Sequence, residues 1–195
     1  MNFLAHFQLA WPEEGLLLGA LEGDYYKGPI STGVSADMAR GIRLHRAIDA
    51  FTDSHKTVNS LRSELPIALR RYAGILIDLS FDHYLSKHWG HYCDLPLTQF
   101  NASVYRILEQ RQNEFSEGAR AMLSRLVEYD ILGCYGEWES VPASAARVGQ
   151  RFRRGNPLLD INAQLAPLRP SLESAFVEFY PQLRLFAEAK RDRLD

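Results

Sequence analysis

Residues 74–89 read GILIDLSFDHYLSKHW, an apolar run broken by two aspartates, Asp78 and Asp82, one helical turn apart. At about 3.6 residues per turn, Ile75, Leu76, Ile77, Leu79, Phe81, Tyr84, Leu85 and Trp89 spread around the whole circumference and leave no solvent stripe. A helix of this kind belongs at the centre of an assembly. The spacing of four sets both carboxylates on one side of it, where an unpaired charge costs on the order of several kcal/mol. A divalent cation, a pair of arginines or a proton on one carboxyl would each satisfy them.

The remaining segments are helical by the same test. Residues 13–21 form a helix with Pro12 at its entrance and Gly23 at its end, which delivers Asp24 to the point where the helix stops. Residues 25–35 have the glycine, proline and serine content of a loop that borders a site. Further helices are expected over 37–53, 60–71, 97–114, 117–129, 140–154, 158–166 and 170–194, with 55–59 as a connector and Pro181 kinking or dividing the last. Neither sustained period-2 alternation nor a hairpin signal is present, so the fold class is all-α, a single-domain helical bundle over residues 1–195.

Composition narrows the function classes. With 46% hydrophobic and 24% charged residues the chain is an ordinary folded protein, and a formal charge of -2 argues against broad nucleic-acid binding. Two cysteines, Cys93 and Cys134, are too few for a disulfide scaffold or a cysteine zinc site, which fits a reducing compartment. The apolar start MNFLAHFQLAW lacks a basic region and carries His6, so it reads as mature protein. No run reaches the roughly 18 apolar residues a membrane span needs, and the expected location is the cytoplasm.

Candidate site residues come from four stretches. On the helix over 37–53, Leu44, Ile48 and Phe51 share the core face, and His45, Asp49 and Asp53 form a stripe on its flank. A merely solvated stripe would lie opposite the core. His6, Asp24, Asp78, Asp82 and His83 supply further imidazoles and carboxylates, and the adjacent Asp82-His83 pair is a favoured ligand combination. Each has a plainer reading: His6 bonded to a backbone carbonyl, Asp24 as a cap, Asp49 paired with Arg43 or Arg46. Arg147, Arg151, Arg153 and Arg154 crowd one segment, as a solvated face or as a surface for an anionic partner. His88 and His91 read as ordinary surface histidines.

Phosphate-loop, nucleophile-elbow and dinucleotide fingerprints are all missing. Hard oxygen donors with a few imidazoles suit Mn²⁺ or Mg²⁺. The blocks MNFLAH, the G-x-L-x-x-D-Y-x-K-G run from Gly19 to Gly28, GIRLHRAIDAFTDSH from Gly41 to His55, and IDLSFDHYL with its trailing HW resemble the bacterial acyl carrier protein phosphodiesterases. They cover most of the first half, and the arginine-rich segment and aromatic C-terminal helix resemble the second half more loosely.

The resemblance implies hydrolysis of the phosphodiester that joins 4'-phosphopantetheine to a serine of holo acyl carrier protein. A metal-activated water would be the nucleophile and the cation Mn²⁺ foremost, with Mg²⁺ or Fe²⁺ as the other choices. It also implies an atypical HD-phosphohydrolase-like fold, although the Asp82-His83 order is the reverse of the usual pair. On this reading His6, Asp24, His45, Asp78 and Asp82 hold the metal, and Asp49 and His83 orient water or ligands. Arg43 and Arg46 grip the phosphate, and Arg147, Arg151 and Arg154 meet the acidic carrier protein. One departure is Ala20, where a polar side chain is expected and activity would be altered. Two other readings compete. An HD-like phosphohydrolase would turn over small phosphate esters or nucleotides as fast as any carrier protein. A non-enzymatic bundle would bind haem or a partner, although haem pockets want apolar walls rather than aspartates at i, i+4.

Overall fold

The helix pair α2 (Glu14–Glu22) and α3 (Ala36–Ser54) is the frame of the molecule, and glycines set its spacing. A Cβ on Gly19 of α2 would lie 2.3 Å from the Gly41 carbonyl carbon, and one on Gly41 of α3 would lie 2.8 Å from the Gly19 Cα. The two backbones therefore touch, and only glycine fits at the crossing.

In this computed structural model, which describes residues 1–194, the chain runs through α1 (Phe3–Ala10), α2 (Glu14–Glu22), α3 (Ala36–Ser54), α4 (Lys56–Glu64), α5 (Ile67–Arg70) and α6 (Ala73–Lys87). It continues through α7 (Leu97–Gln110), α8 (Glu117–Glu128), α9 (Ile131–Cys134), α10 (Ser140–Gly149), α11 (Asn162–Leu165) and α12 (Arg169–Arg191). No strand occurs among the described residues, and no helix there is long and apolar enough to cross a membrane.

The expected centre holds. Ala73, Leu76, Ile77 and every residue from Leu79 to Leu85 of α6 are buried, against α12, α10, α1 and α4. Phe81 meets Phe176 of α12 edge-on and Phe179 at a tilt, at ring distances of 5.7 and 5.6 Å, within the range aromatic pairs favour. The amphipathic pattern fails in α2 instead: Gly15 through Glu22 are all buried, because this helix is enclosed by α1, α3 and α7.

Several boundaries differ from the sequence expectation. The helix expected over 140–154 stops at Gly149, where the Asn156 side chain donates to the Gly149 carbonyl at 2.9 Å and to that of Arg154 at 3.3 Å. Arg151, Arg153 and Arg154 therefore stand on an exposed turn beyond the helix. The 55–59 connector is helical except for His55, whose Nδ1 caps α4 by accepting from the Thr57 amide. Helix α12 runs through Pro181 undivided.

The crossing gives a stability test. Gly19→Ala should cost about 2–3 kcal/mol, the range for overpacking against backbone that cannot yield, whereas Gly74→Ala, whose added Cβ meets nothing within 4 Å, should stabilise α6 by about 0.5–1 kcal/mol. Thermal melts of the two variants should move in opposite directions. An unshifted Gly19→Ala melt would mean the helices are further apart than described.

Candidate active site

Helix α1 has no side-chain cap of its own, since Asn2 makes no capping bond. Asp82, fully buried on α6, supplies the cap from across the core. One of its oxygens accepts from the Leu4 amide at 2.7 Å, and the other from Asn2 at 3.3 Å and Ala5 at 3.4 Å. These are the orphan N–H groups of a first helical turn, and a carboxylate there also meets the positive end of the helix dipole. The clamp fixes where His6, one turn in, must point.

His6 points at α3. Its ring stacks on that of His45 with centroids 4.0 Å apart, and both rings reach the same carboxylate: His6 Nε2 lies 3.1 Å from Asp49 Oδ1, and His45 Nε2 lies 3.1 Å from Asp49 Oδ2. The i, i+4 spacing on α3 thus brings His45 and Asp49 together, as expected. Asp24, delivered by the end of α2, stands 3.6 Å from His45 Nε2. His45 Nδ1 donates to the Ala20 carbonyl at 3.0 Å, which orients the ring and leaves Nε2 facing the carboxylates. The backbone of Ala20 thus serves the site whatever its side chain.

Opposite charges meet in the site. Burial opposes protonation of His45, but Asp24 and Asp49 outweigh it and raise the ring to about 9. His6, buried and beside that cation, is lowered to about 4. Burial alone would raise Asp49, yet its bonds to His45 and His6 hold it well below the usual carboxylate range. The Met1 ammonium joins the cluster, 2.9 Å from Asp78 Oδ1 and 3.9 Å from Asp49 Oδ1.

The donor set fits a divalent cation. One nitrogen each from His6 and His45 and one Asp49 oxygen lie within 4.8 Å of one another. Two imidazoles with carboxylate oxygen suit a divalent first-row metal ion, and sulfur ligands are absent from the group.

His45 and Asp49 also line a cavity of about 330 Å³ with Asp24, Tyr26, Lys27 and Arg46. A larger cavity of about 640 Å³ between α4 and α12 includes Lys56, Thr57, Glu64 and Glu178 but no histidine, so size does not mark the chemistry here.

Other sequence-expected residues are placed elsewhere. Asp82 spends its oxygens on α1 amides, and Asp78 pairs with the Met1 ammonium, so neither sits in the imidazole–carboxylate group. His83 turns away: its Nδ1 is 2.9 Å from the Tyr135 carbonyl and its ring lies edge-on to Trp138 at 5.3 Å, a histidine satisfied within the core. Asp82 and His83 thus face different neighbours, the α1 amides and the Tyr135 carbonyl. Arg43 is exposed and does not line the cavity, whereas Arg46 does, with one guanidinium nitrogen on the Tyr26 carbonyl at 2.8 Å. Lys27 was not among the sequence-expected site residues, although it is the lysine of the G-x-L-x-x-D-Y-x-K-G block.

Fold and site together define an all-α protein with a stacked-histidine, carboxylate-bridged centre opening on a cavity lined by charges of both signs. The chain belongs to the acyl carrier protein phosphodiesterase family, whose model matches residues 1–183. It is 32% identical to the acyl carrier protein phosphodiesterase of Klebsiella pneumoniae (strain 342), over 98% of this chain and 100% of that one. It is also 32% identical to the acyl carrier protein phosphodiesterase of Escherichia coli (strain K12 / DH10B), over 100% of both. No solved structure matches the chain.

Proposed function

We propose that this protein hydrolyses the phosphodiester between 4'-phosphopantetheine and the serine of holo acyl carrier protein, releasing apo carrier protein and 4'-phosphopantetheine. Water forms the new bond to phosphorus, the bond to the seryl oxygen breaks, and one proton ends on the serine. The observation that carries the reading is the convergence of His6, His45 and Asp49 from α1 and α3 in a chain that matches this family over residues 1–183.

Nε2 of His6, Nε2 of His45 and the Asp49 carboxylate would hold a divalent cation, Mn²⁺ foremost, with Asp24 at the margin. When bound, it supplies charge to the phosphoryl oxygens and acidifies a water. The Ala20 carbonyl keeps His45 in the ligating tautomer. Asp24, with its side chain 51% exposed, has a free oxygen to orient the attacking water, and Arg46 stands on the cavity wall where the phosphate enters. Asp78 and Asp82 act through the start of α1 rather than on substrate. We place the protein in the cytoplasm, in keeping with free Cys93 and Cys134.

The carrier protein would dock on the turn after α10, where Arg151 and Arg154 are exposed beside Arg147. Charge pairing of this kind governs encounter rate and is screened by salt. Intact mass of holo carrier protein incubated with the Mn²⁺-loaded enzyme should show the apo species. The R147E/R151E/R154E variant should raise KM on the order of tenfold. It should also lose most of the salt dependence seen in the wild type. Unchanged KM in that variant would move the docking face elsewhere. Faster turnover of small phosphate diesters than of the carrier protein would favour the small-ester reading.

A further inference from the structure

We propose that Lys27 is a substrate-binding residue that grips a phosphate oxygen, and that the loop after α2 places it at the cavity on which the histidine–carboxylate centre opens. The inference rests on the phosphodiesterase reading and names the group that recognises the ester.

Anion recognition is the difficulty this site must solve. Asp24 and Asp49 both face the cavity, and two carboxylates repel an approaching phosphate unless cations stand opposite them. The cavity is lined by two permanent cations, Lys27 and Arg46. Arg46 already spends one nitrogen on the Tyr26 carbonyl. Lys27 has neither a hydrogen bond nor an ion pair among the described residues, although acidic Asp24 and Asp49 line the same cavity. An exposed lysine that lines the cavity without a protein partner is a charge still available to a ligand.

The loop's construction points the same way. The Tyr26 hydroxyl donates to Ser31 Oγ at 2.8 Å and accepts from the Ser31 amide at 2.8 Å, which closes the segment on itself. The Arg46 bond to the Tyr26 carbonyl ties the closed loop to α3, the helix that carries His45 and Asp49. Directly after Lys27 the chain bends at Gly28, whose φ of +78° lies in the left-handed region that favours glycine. Lys27 thus stands between a tethered residue and a bend, itself exposed, while Tyr25, Tyr26, Ile30 and Val34 anchor the rest of the loop against the core.

The ligand class this defines is a phosphate ester whose non-bridging oxygens carry the charge. Lys27 should therefore contribute to binding of the 4'-phosphopantetheine product and of inorganic phosphate as well as to turnover. The test uses the full-length Mn²⁺-loaded protein and its Lys27→Met and Lys27→Arg variants, read by turnover of holo carrier protein and by calorimetric titration with inorganic phosphate. Lys27→Met should keep the wild-type melting curve and Mn²⁺ affinity, lose roughly 100-fold in kcat/KM, and weaken phosphate binding about tenfold, with Lys27→Arg restoring most of both. Wild-type turnover with undiminished turnover and phosphate binding in Lys27→Met overturns the proposal. If the wild type itself gives no apo product, the phosphodiesterase reading falls, and the phosphate titration alone decides: weaker binding in Lys27→Met upholds Lys27 as the anion grip, and equal binding removes it.

Discussion

Asp49→Ala is expected to lower kcat for carrier-protein cleavage by on the order of 10²–10⁴-fold while the protein remains folded. One carboxylate organises both imidazoles, Oδ1 towards His6 and Oδ2 towards His45, each at 3.1 Å. Its removal releases two rings from one anchor and deletes one of the donors the cation would use. The side chain is 42% exposed and caps no helix, so the scaffold loses little. Intact-mass assays and melting curves on one preparation separate the two quantities. Activity within tenfold of wild type would show that the paired histidines do not depend on Asp49.

Asp82→Ala should do the reverse, with its first effect on stability. Truncation strands the buried amides of Leu4 and Ala5 along with that of Asn2, each worth about 1–3 kcal/mol when left unsatisfied. Partial relaxation leaves an expected net loss of about 3–5 kcal/mol, a fall in Tm of roughly 10 °C for a chain of this size. Turnover should fall too, because α1 carries His6. A variant as stable as wild type would refute the clamp.

The same group sets a pH dependence. Burial pushes the Asp82 carboxyl up to about 7, against the Met1 ammonium and the α1 amides that favour its ionised form. A folded pKa above the ordinary 3.8 means that the contribution is complete below that value and is lost as pH rises through about 7. Subtracting the Asp82→Asn profile from that of wild type cancels the other titrating groups, and the difference should decline over this interval.

Much of the centre was legible because it is local. His45 and Asp49 announce themselves by a spacing of four on the flank of an apolar face, and His6 by its place inside an oily segment. The central helix was legible from its lack of a polar stripe, and it is buried as that pattern demands. What escaped depends on partners far along the chain. The sequence requires something to neutralise Asp82, but the answer is backbone amides about 80 residues away, and amides leave no mark on side-chain identity. A buried aspartate capping a distant helix and one holding a metal look alike from composition. His83 escaped for a related reason, since its partner is the main-chain oxygen of Tyr135. The arginine turn was misread because Asn156, not any property of the arginines, ends α10.

The most direct test is a crystal of the Mn²⁺-soaked protein with diffraction measured at the manganese absorption edge. The account predicts one strong anomalous peak bounded by Nε2 of His6, Nε2 of His45 and the Asp49 carboxylate, and its disappearance in Asp49→Ala. A peak beside Asp82 or His83, or none at the stacked histidines in protein that cleaves holo carrier protein, would contradict it.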